Sequence, residues 1–243
     1  MSARRENLLR EMGLGPVWKL RQPAEPETTL DAARVAPSAV ASEPASAAAP
    51  PGCAAIGSMD WGQLGAAVAE CRACALCKAR KQAVLGVGDV NADWLFVGEG
   101  PGAEEDERGE PFVGQAGKLL DAMLAAIELK RGSDVYIGNA VKCRPPSNRT
   151  PEPEEIAACR PYLQRQIELI RPKLIVALGR PAAQSLLGGE VKIGAARGQL
   201  HAYAGIPVIV TYHPAYLLRN LTDKAKAWED LVFARKTMRE LKP

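Results

Sequence analysis

The stretch Trp94-Leu-Phe-Val-Gly-Glu-Gly-Pro-Gly102 passes from an apolar strand directly into a glycine-rich turn that carries a carboxylate. Three further apolar runs also end in glycine or a polar residue: Val135–Val141, Leu174–Gly179 and Pro207–Pro214. Short β-branched runs that alternate with helical segments are typical of parallel strands in an α/β sheet. The sequence therefore predicts a three-layer α/β/α sandwich around a central, mainly parallel four-stranded sheet.

Polar side chains follow three of these runs. Glu99, Asn139 and His213 each stand where a predicted strand ends. Because ligands bind at the carboxyl ends of parallel strands, we expect these side chains to meet at one sheet edge. Their convergence predicts an active site.

Composition limits the class of protein. The chain has 243 residues, 47% of them hydrophobic, which is enough for one or two packed domains. Its net charge is only +3, although several Lys and Arg follow Arg197 and could form a basic face. No apolar run reaches the roughly 20 residues that span a bilayer, and no signal-peptide core is present. We expect a monomeric cytoplasmic protein that does not enter membranes.

The N-terminal quarter differs from the rest. Residues 23–58 are dominated by Ala, Pro, Ser and Glu, a composition that predicts a disordered linker. Residues 1–22 set apolar side chains such as Trp18 among basic ones, which indicates a docking peptide, with a frayed helix or a cloning remnant as the alternative. The folded domain is predicted to occupy residues 59–243.

The six cysteines are unevenly placed. Cys71, Cys74 and Cys77 are spaced by two residues, whereas Cys143 and Cys159 lie far downstream. In a cytoplasmic chain such clustering indicates metal or cluster ligation more than disulfides. Four thiolates suit either zinc or an iron–sulfur cluster, and spacing alone does not separate the two.

Four motifs together resemble those of the family 4 uracil-DNA glycosylases. They are Gly98–Asp106, Gly109–Gly117, Gly138–Pro146 and His213–Arg219. The resemblance covers about residues 71–241. It implies a uracil-DNA glycosylase fold and a [4Fe-4S] cluster held by Cys71, Cys74, Cys143 and Cys159. Cys77 falls where the family needs no ligand.

The site residues suit the excision of uracil from a flipped-out nucleotide. The Asn139 amide offers both a donor and an acceptor, which match O4 and N3–H of uracil and mismatch cytosine. Phe112 offers a face on which the base can stack. His213 is placed to donate a hydrogen bond to uracil O2 as negative charge develops on the leaving base.

Other motif residues are predicted to contact the DNA. Gly98 and Gly100 would let the backbone approach the flipped nucleotide. Leu217 resembles the superfamily's intercalating wedge, and Arg219 could hold a phosphate. The best-known members have Asp and Tyr where this chain has Gly100 and Gly102, so Glu99 is the nearest carboxylate that could position water.

A second resemblance concerns the N-terminus. Residues 4–23 resemble the start of the psi subunit of bacterial DNA polymerase III, which docks on the clamp loader. The sequence therefore predicts a DNA-repair hydrolase that releases uracil and leaves an abasic site, with a possible clamp-loader contact through residues 1–22. A psi-like adaptor that retains the glycosylase fold, or a zinc-stabilised nucleic-acid-binding module, is the alternative. Joint retention of Asn139, Phe112 and His213 favours the enzyme.

Overall fold

The computed structural model describes residues 53–242, so the predicted docking peptide and most of the predicted linker lie outside the described residues. The α-helices are α1 (Cys53–Ile56), α2 (Trp61–Glu70), α3 (Ala103–Arg108), α4 (Gln115–Ala126), α5 (Pro153–Ile170), α6 (Arg180–Leu187), α7 (Ile193–Ala196), α8 (Pro214–Arg219) and α9 (Lys224–Leu241). The strands are β1 (Val87–Gly88), β2 (Trp94–Gly98), β3 (Val135–Asn139), β4 (Leu174–Leu178), β5 (Leu200–Tyr203) and β6 (Ile206–Thr211). Short 3-10 turns cover Ala75–Lys78, Pro146–Asn148 and Leu221–Asp223.

The strands form one sheet in the order β1-β3-β2-β4-β6-β5. Strands β3, β2, β4 and β6 are parallel, which confirms the predicted centre of the sheet. The predicted count of four strands is too low, because β1 and β5 add antiparallel edges. β1 has two residues and β5 leaves alternate side chains exposed, so neither gives the apolar run on which the sequence prediction relied.

Alternating side chains bury the two faces of the sheet against different helices. Phe96 lies in a core with residues of α4 and α9, whereas its neighbours Leu95 and Val97 lie in a core with residues of α5 and α6. This two-residue period places one helical layer on each side of the sheet. The predicted three-layer sandwich is confirmed.

The strand order creates a crevice. From β2 the chain proceeds to β3 on one side of β2 and then returns to β4 on the other side. At such a switch point the segments that leave neighbouring strands turn in opposite directions and open a crevice at the carboxyl ends. The segments that follow β2, β3, β4 and β6 all surround it.

The domain begins earlier than its predicted start at residue 59. Helix α1 precedes that position, and Ile56 is only 8% exposed because it packs in a third core cluster with Leu64 and Tyr162. Helix α2 ends at Glu70, because Cys71 leaves the helical conformation. No helix in the described residues is long and apolar enough to cross a membrane.

Candidate active site

A cavity of about 800 Å³ lies at the carboxyl ends of the parallel strands. It brings together most of the predicted site residues. Those that line it are Glu99, Gly100, Phe112, Asn139, His213 and Arg219. The positions at strand ends therefore converge as the sequence indicated.

Asn139 lines this cavity and carries an unsatisfied polar atom. The residue is 2% exposed, and its Oδ1 has no hydrogen-bond partner among the described residues. A buried acceptor without a donor costs about 1–3 kcal/mol, so such an atom indicates a ligand that supplies the donor. The N–H of a planar base edge is a donor of this kind.

Gly98 makes room for the site instead of lining it. A Cβ atom at this position would lie 2.5 Å from Oδ1 of Asn139 and 2.6 Å from the ring of Phe112. Any side chain here would displace both groups. Gly98 was predicted to let the backbone approach the nucleotide. In the structure it instead allows Asn139 and Phe112, which line the cavity, to pack closely against the backbone.

Phe112 is held in a strained backbone conformation, with φ of +55°. Arg131 donates to the carbonyls of Pro111 and Phe112, each at 2.9 Å. On the following residues, Glu105 accepts from the backbone N–H groups of Val113 at 3.0 Å and Gly114 at 3.1 Å. These bonds fix the ring at the cavity, since a left-handed conformation persists only where its surroundings enforce it.

His213 lies against Phe112, with ring centroids 5.4 Å apart. Its Nδ1 accepts from the backbone N–H of Ala215 at 3.1 Å, so the neutral ring carries its proton on Nε2. Burial and the charge of Arg219 lower the pKa of His213 to about 4. At neutral pH the imidazole is therefore an uncharged donor whose Nε2–H is available to a ligand.

Glu99 occupies the wall of the cavity beside the segment that follows β3. Burial raises the pKa of Glu99, and a hydrogen bond with Thr150 and the charges of Arg180 and Arg219 oppose that rise. The carboxylate is thus close to two cations inside the cavity. It can orient water or stabilise positive charge on a bound ligand.

The prediction for Leu217 is wrong. Leu217 is 1% exposed and lies in the core cluster that includes Phe112 and Leu120, so in this structure its side chain is not available to enter a base stack. Its neighbour Leu218 is 42% exposed. The short helix turns Leu217 inward and Leu218 outward, a distinction that family spacing alone does not reveal.

Sequence reasoning missed several cavity residues. Among those lining it are the cations Arg180 and Lys192 and the aromatic residues Tyr212 and Tyr216. Within residues 53–242, neither Arg180, Lys192 nor Arg219 has an acidic partner at ion-pair distance. Arg180 directly follows the turn after β4, so its strand-end position was a usable signal. Lys192 stands in a segment without any motif.

The predicted thiol ligands surround a second, smaller cavity. Cys71, Cys74, Cys143 and Cys159 all line it, whereas Cys77 does not. The five cysteines of residues 71–159 are free thiols. No three metal-ligating side chains within residues 53–242 are arranged to hold a single ion. Four thiols around one space suit a multi-iron cluster, whose ligands surround it instead of meeting at one atom.

Two cations flank this thiol cavity. Arg80 Nη1 donates to Cys143 Sγ at 2.7 Å, and the Lys142 backbone N–H donates to Cys159 Sγ at 3.2 Å. Burial raises the pKa of the Cys159 thiol to about 12 and lowers the pKa of the 1%-exposed Lys142 to about 8. Lys142 has no carboxylate partner among the described residues, and a buried ammonium needs a counter-charge. An anionic iron–sulfur cluster in the cavity would supply it, so the donor set fits that group.

Comparison with known proteins agrees with this geometry. Residues 85–232 match the family model described as the Uracil DNA glycosylase superfamily. A type-4 uracil-DNA glycosylase of Thermotoga maritima is 49% identical over 65% of this chain and 83% of its own length. The Pyrobaculum aerophilum type-4 uracil-DNA glycosylase is 44% identical over 71% of this chain and 92% of its own length. A type-5 uracil-DNA glycosylase of the same organism is more distant, at 34% identity over 55% of this chain and 66% of its own length.

Proposed function

Since this chain belongs to the uracil-DNA glycosylase superfamily and is most like its type-4 members, we propose that it hydrolyses the N-glycosidic bond of uracil in DNA. The products are free uracil and an abasic site. The single observation that carries this proposal is the buried, unpaired Oδ1 of Asn139, a residue that lines the same cavity as Phe112 and His213.

Uracil satisfies all three groups at once. Its N3–H donates to Oδ1 of Asn139 while the Asn139 amide N–H₂ donates to O4. Its ring stacks on Phe112, which Arg131 and Glu105 hold in place. Cytosine presents an acceptor at N3 and a donor at N4, so it would leave the Asn139 amide mismatched.

His213 acts on the leaving group. When the bond between C1′ of the sugar and N1 of uracil breaks, its electron pair stays on the base, and negative charge spreads to O2. The Nε2–H of the neutral His213 donates to that oxygen. Such a donor is worth about 2.7–4 kcal/mol because it is already oriented before the charge forms.

Water completes the reaction by adding to C1′, and its proton is released. In this scheme Glu99 orients that water and stabilises the positive charge on the sugar, since its carboxylate lies in the cavity wall with Thr150 as a hydrogen-bond partner. No covalent intermediate is needed, because none of the motif residues is a lysine placed as a nucleophile.

The test is a base-release assay on DNA that contains one uracil. We expect free uracil and alkali-labile abasic DNA from the wild-type protein, and a loss of selection for uracil over cytosine from Asn139→Asp. A carboxylate there cannot donate to O4. Absence of uracil release by the cluster-loaded wild-type protein on single- and double-stranded DNA would overturn the proposal.

Three cavity cations are proposed to hold the DNA backbone. Arg180, Lys192 and Arg219 line the cavity, and none of them makes an ion pair at contact distance within the described residues, so they can bind phosphates. Leu218 directly precedes Arg219 on helix α8 and is exposed. We assign to Leu218 the wedge role predicted for Leu217, because Leu218 is the exposed one of the two.

Leu218→Ala is expected to lower kcat/KM for uracil in duplex DNA by about tenfold or more, because the wedge offsets an unstacking cost of a few kcal/mol. Release from single-stranded DNA should change less. Leu217→Ala serves as the contrast: it should reduce the free energy of unfolding by roughly 2–5 kcal/mol, as for a buried leucine. An unchanged duplex rate for Leu218→Ala, measured in single turnovers, would remove the wedge assignment.

We further propose that the thiol cavity holds a [4Fe-4S] cluster through Cys71, Cys74, Cys143 and Cys159. When bound, the cluster would join segments that lie far apart in sequence. The segment between Cys143 and Cys159 contains Thr150 of the active-site wall, so the cluster would fix both ends of that segment. Thiolate ligands of this kind suit the reducing cytoplasm, where we place the enzyme as a monomer.

For the N-terminus we propose a separate role. Residues 4–23 resemble the psi segment that docks on the clamp loader, and we propose that residues 1–22 tether the enzyme to that assembly through the linker. Trp18→Ala should then weaken clamp-loader binding by about 2 kcal/mol or more, the threshold for an aromatic hot spot.

Pull-down with intact protein and with Trp18→Ala measures this directly. Equal clamp-loader recovery with both proteins, or none with either, would contradict the tether. Deletion of residues 1–52, which keeps the buried Ile56, should leave uracil release from short DNA nearly unchanged.

A further inference from the structure

Lys142 connects the thiol cavity to the residue that faces the base. Its backbone N–H donates to Cys159 Sγ at 3.2 Å, and its backbone carbonyl accepts from Val84 N at 2.8 Å. Its Nζ donates to the backbone carbonyl of Asn139 at 2.8 Å and also to Oε1 of Gln166. The lysine therefore spans the turn between strand β3 and the cysteine at position 143.

Gln166 extends this contact into the core. Its Nε2 donates to the carbonyl of Leu85 at 2.9 Å and to the hydroxyl of Tyr136 at 3.2 Å. Gln166 and Lys142 are each 1% exposed. A buried polar network in which each member is bonded fixes a single arrangement of the backbone around it.

The position of Asn139 demands such a fixed turn. Its Oδ1 is packed so closely against Gly98 that a Cβ there would come within 2.5 Å of it. On the opposite side the turn is held by backbone bonds from Ala140 N to Gly98 O at 2.8 Å and from Val141 N to Glu99 O at 3.1 Å. A small shift of the Asn139 carbonyl would turn the amide away from the base.

We infer that Lys142 is a positioning residue that fixes Asn139 for base recognition. The inference rests on the proposed function. The Lys142 side-chain amine donates to the Asn139 carbonyl and to Gln166, while its backbone N–H is bonded to Cys159, so one residue holds the turn from both sides. Methionine has a similar length and no donor, so Lys142→Met removes the bond and preserves much of the packing.

A double-mutant cycle tests whether Lys142 acts through Asn139. Single-turnover uracil release is measured for wild type, Lys142→Met, Asn139→Ala and the double variant, with absorbance and iron content recorded for each protein. We expect Lys142→Met to slow release by about tenfold or more, the effect of losing a hydrogen bond from a charged group, with the cluster retained. The same substitution should change the rate by less than about twofold in the Asn139→Ala background.

A structural role alone would slow both backgrounds equally, and that result overturns the inference. Wild-type rates in a cluster-loaded Lys142→Met protein overturn it too. If wild type itself releases no uracil, the proposed function fails, which is a different outcome. Lys173→Met is the matched control, because that lysine pairs with Asp93 at the surface, and its rate should not change.

Gln166→Leu is a second variant that tests the same inference if the Lys142→Met protein fails to retain its cluster. This change removes an acceptor of the Lys142 amine without touching a cysteine. We expect a loss of about threefold, typical of one neutral hydrogen bond, which again disappears without Asn139. An equal loss with and without Asn139 contradicts the inference.

Discussion

Uracil release by His213→Ala is expected to be about 10²–10³-fold slower than by the wild-type enzyme, with little change in DNA affinity. The Nε2–H of His213 is oriented by the bond from Ala215 N to Nδ1 and by the stacked Phe112 ring. The bond to uracil O2 strengthens only as the base acquires negative charge. Loss of this bond therefore slows the chemical step much more than it weakens DNA binding.

The second histidine provides a matched control. The chain has two histidines. His201 lies on strand β5, where its Nε2 is 2.8 Å from the carbonyl oxygen of Ala196, and it does not line the cavity. His201→Ala should keep the wild-type single-turnover rate. If His213→Ala also kept it, the leaving-group role would be wrong even where uracil excision itself is observed.

Cys143→Ala is expected to abolish the brown colour and the broad absorbance at about 400 nm that an iron–sulfur cluster gives to anaerobically purified protein. Its effect on the free energy of unfolding should reach roughly 4 kcal/mol or more, a range reserved for losses such as that of a metal site. The reason is that the cluster would add covalent links between the Cys143 and Cys159 segments, and metal binding is then part of folding.

Cys77→Ala distinguishes ligation from a general sensitivity to cysteine loss. Cys77 lies in the same short 3-10 turn that follows Cys74 but does not line the thiol cavity. The Cys77→Ala protein should retain its brown colour, its iron content and its free energy of unfolding. A colourless, zinc-loaded and fully active wild-type enzyme would rule the cluster out.

Much of the architecture was predictable because its signal is local. The four parallel strands are apolar on both faces, so each gives a continuous run such as Leu174–Leu178. The carboxyl ends of parallel strands lie at one edge of the sheet, so polar residues that follow those strands come together there. Glu99, Asn139 and His213 line one cavity for this reason. The edge strands escaped prediction because a two-residue β1 and a half-exposed β5 give no such run.

Other features depend on tertiary packing, which sequence spacing does not specify. Leu217 and Leu218 are adjacent and chemically identical, and only the packing of α8 decides which one is buried. Lys142 reads as an ordinary surface lysine in the motif, whereas the fold buries it between the thiols and Asn139. Its role becomes visible only when the bonds of its amine are known.

The unpaired oxygen of Asn139 bears on the fidelity of genome maintenance. Normal DNA offers an enormous excess of cytosine over uracil, so a repair enzyme that errs rarely per base could still damage far more sites than it mends. A base that leaves a buried acceptor without a donor is rejected strongly. Sites built to hydrogen-bond a ligand can discriminate against an analogue that lacks the bonding group by about 10⁴-fold or more. Under the proposed function, the unpaired Asn139 acceptor would thus protect the intact genome, at the cost of some stability in the free enzyme.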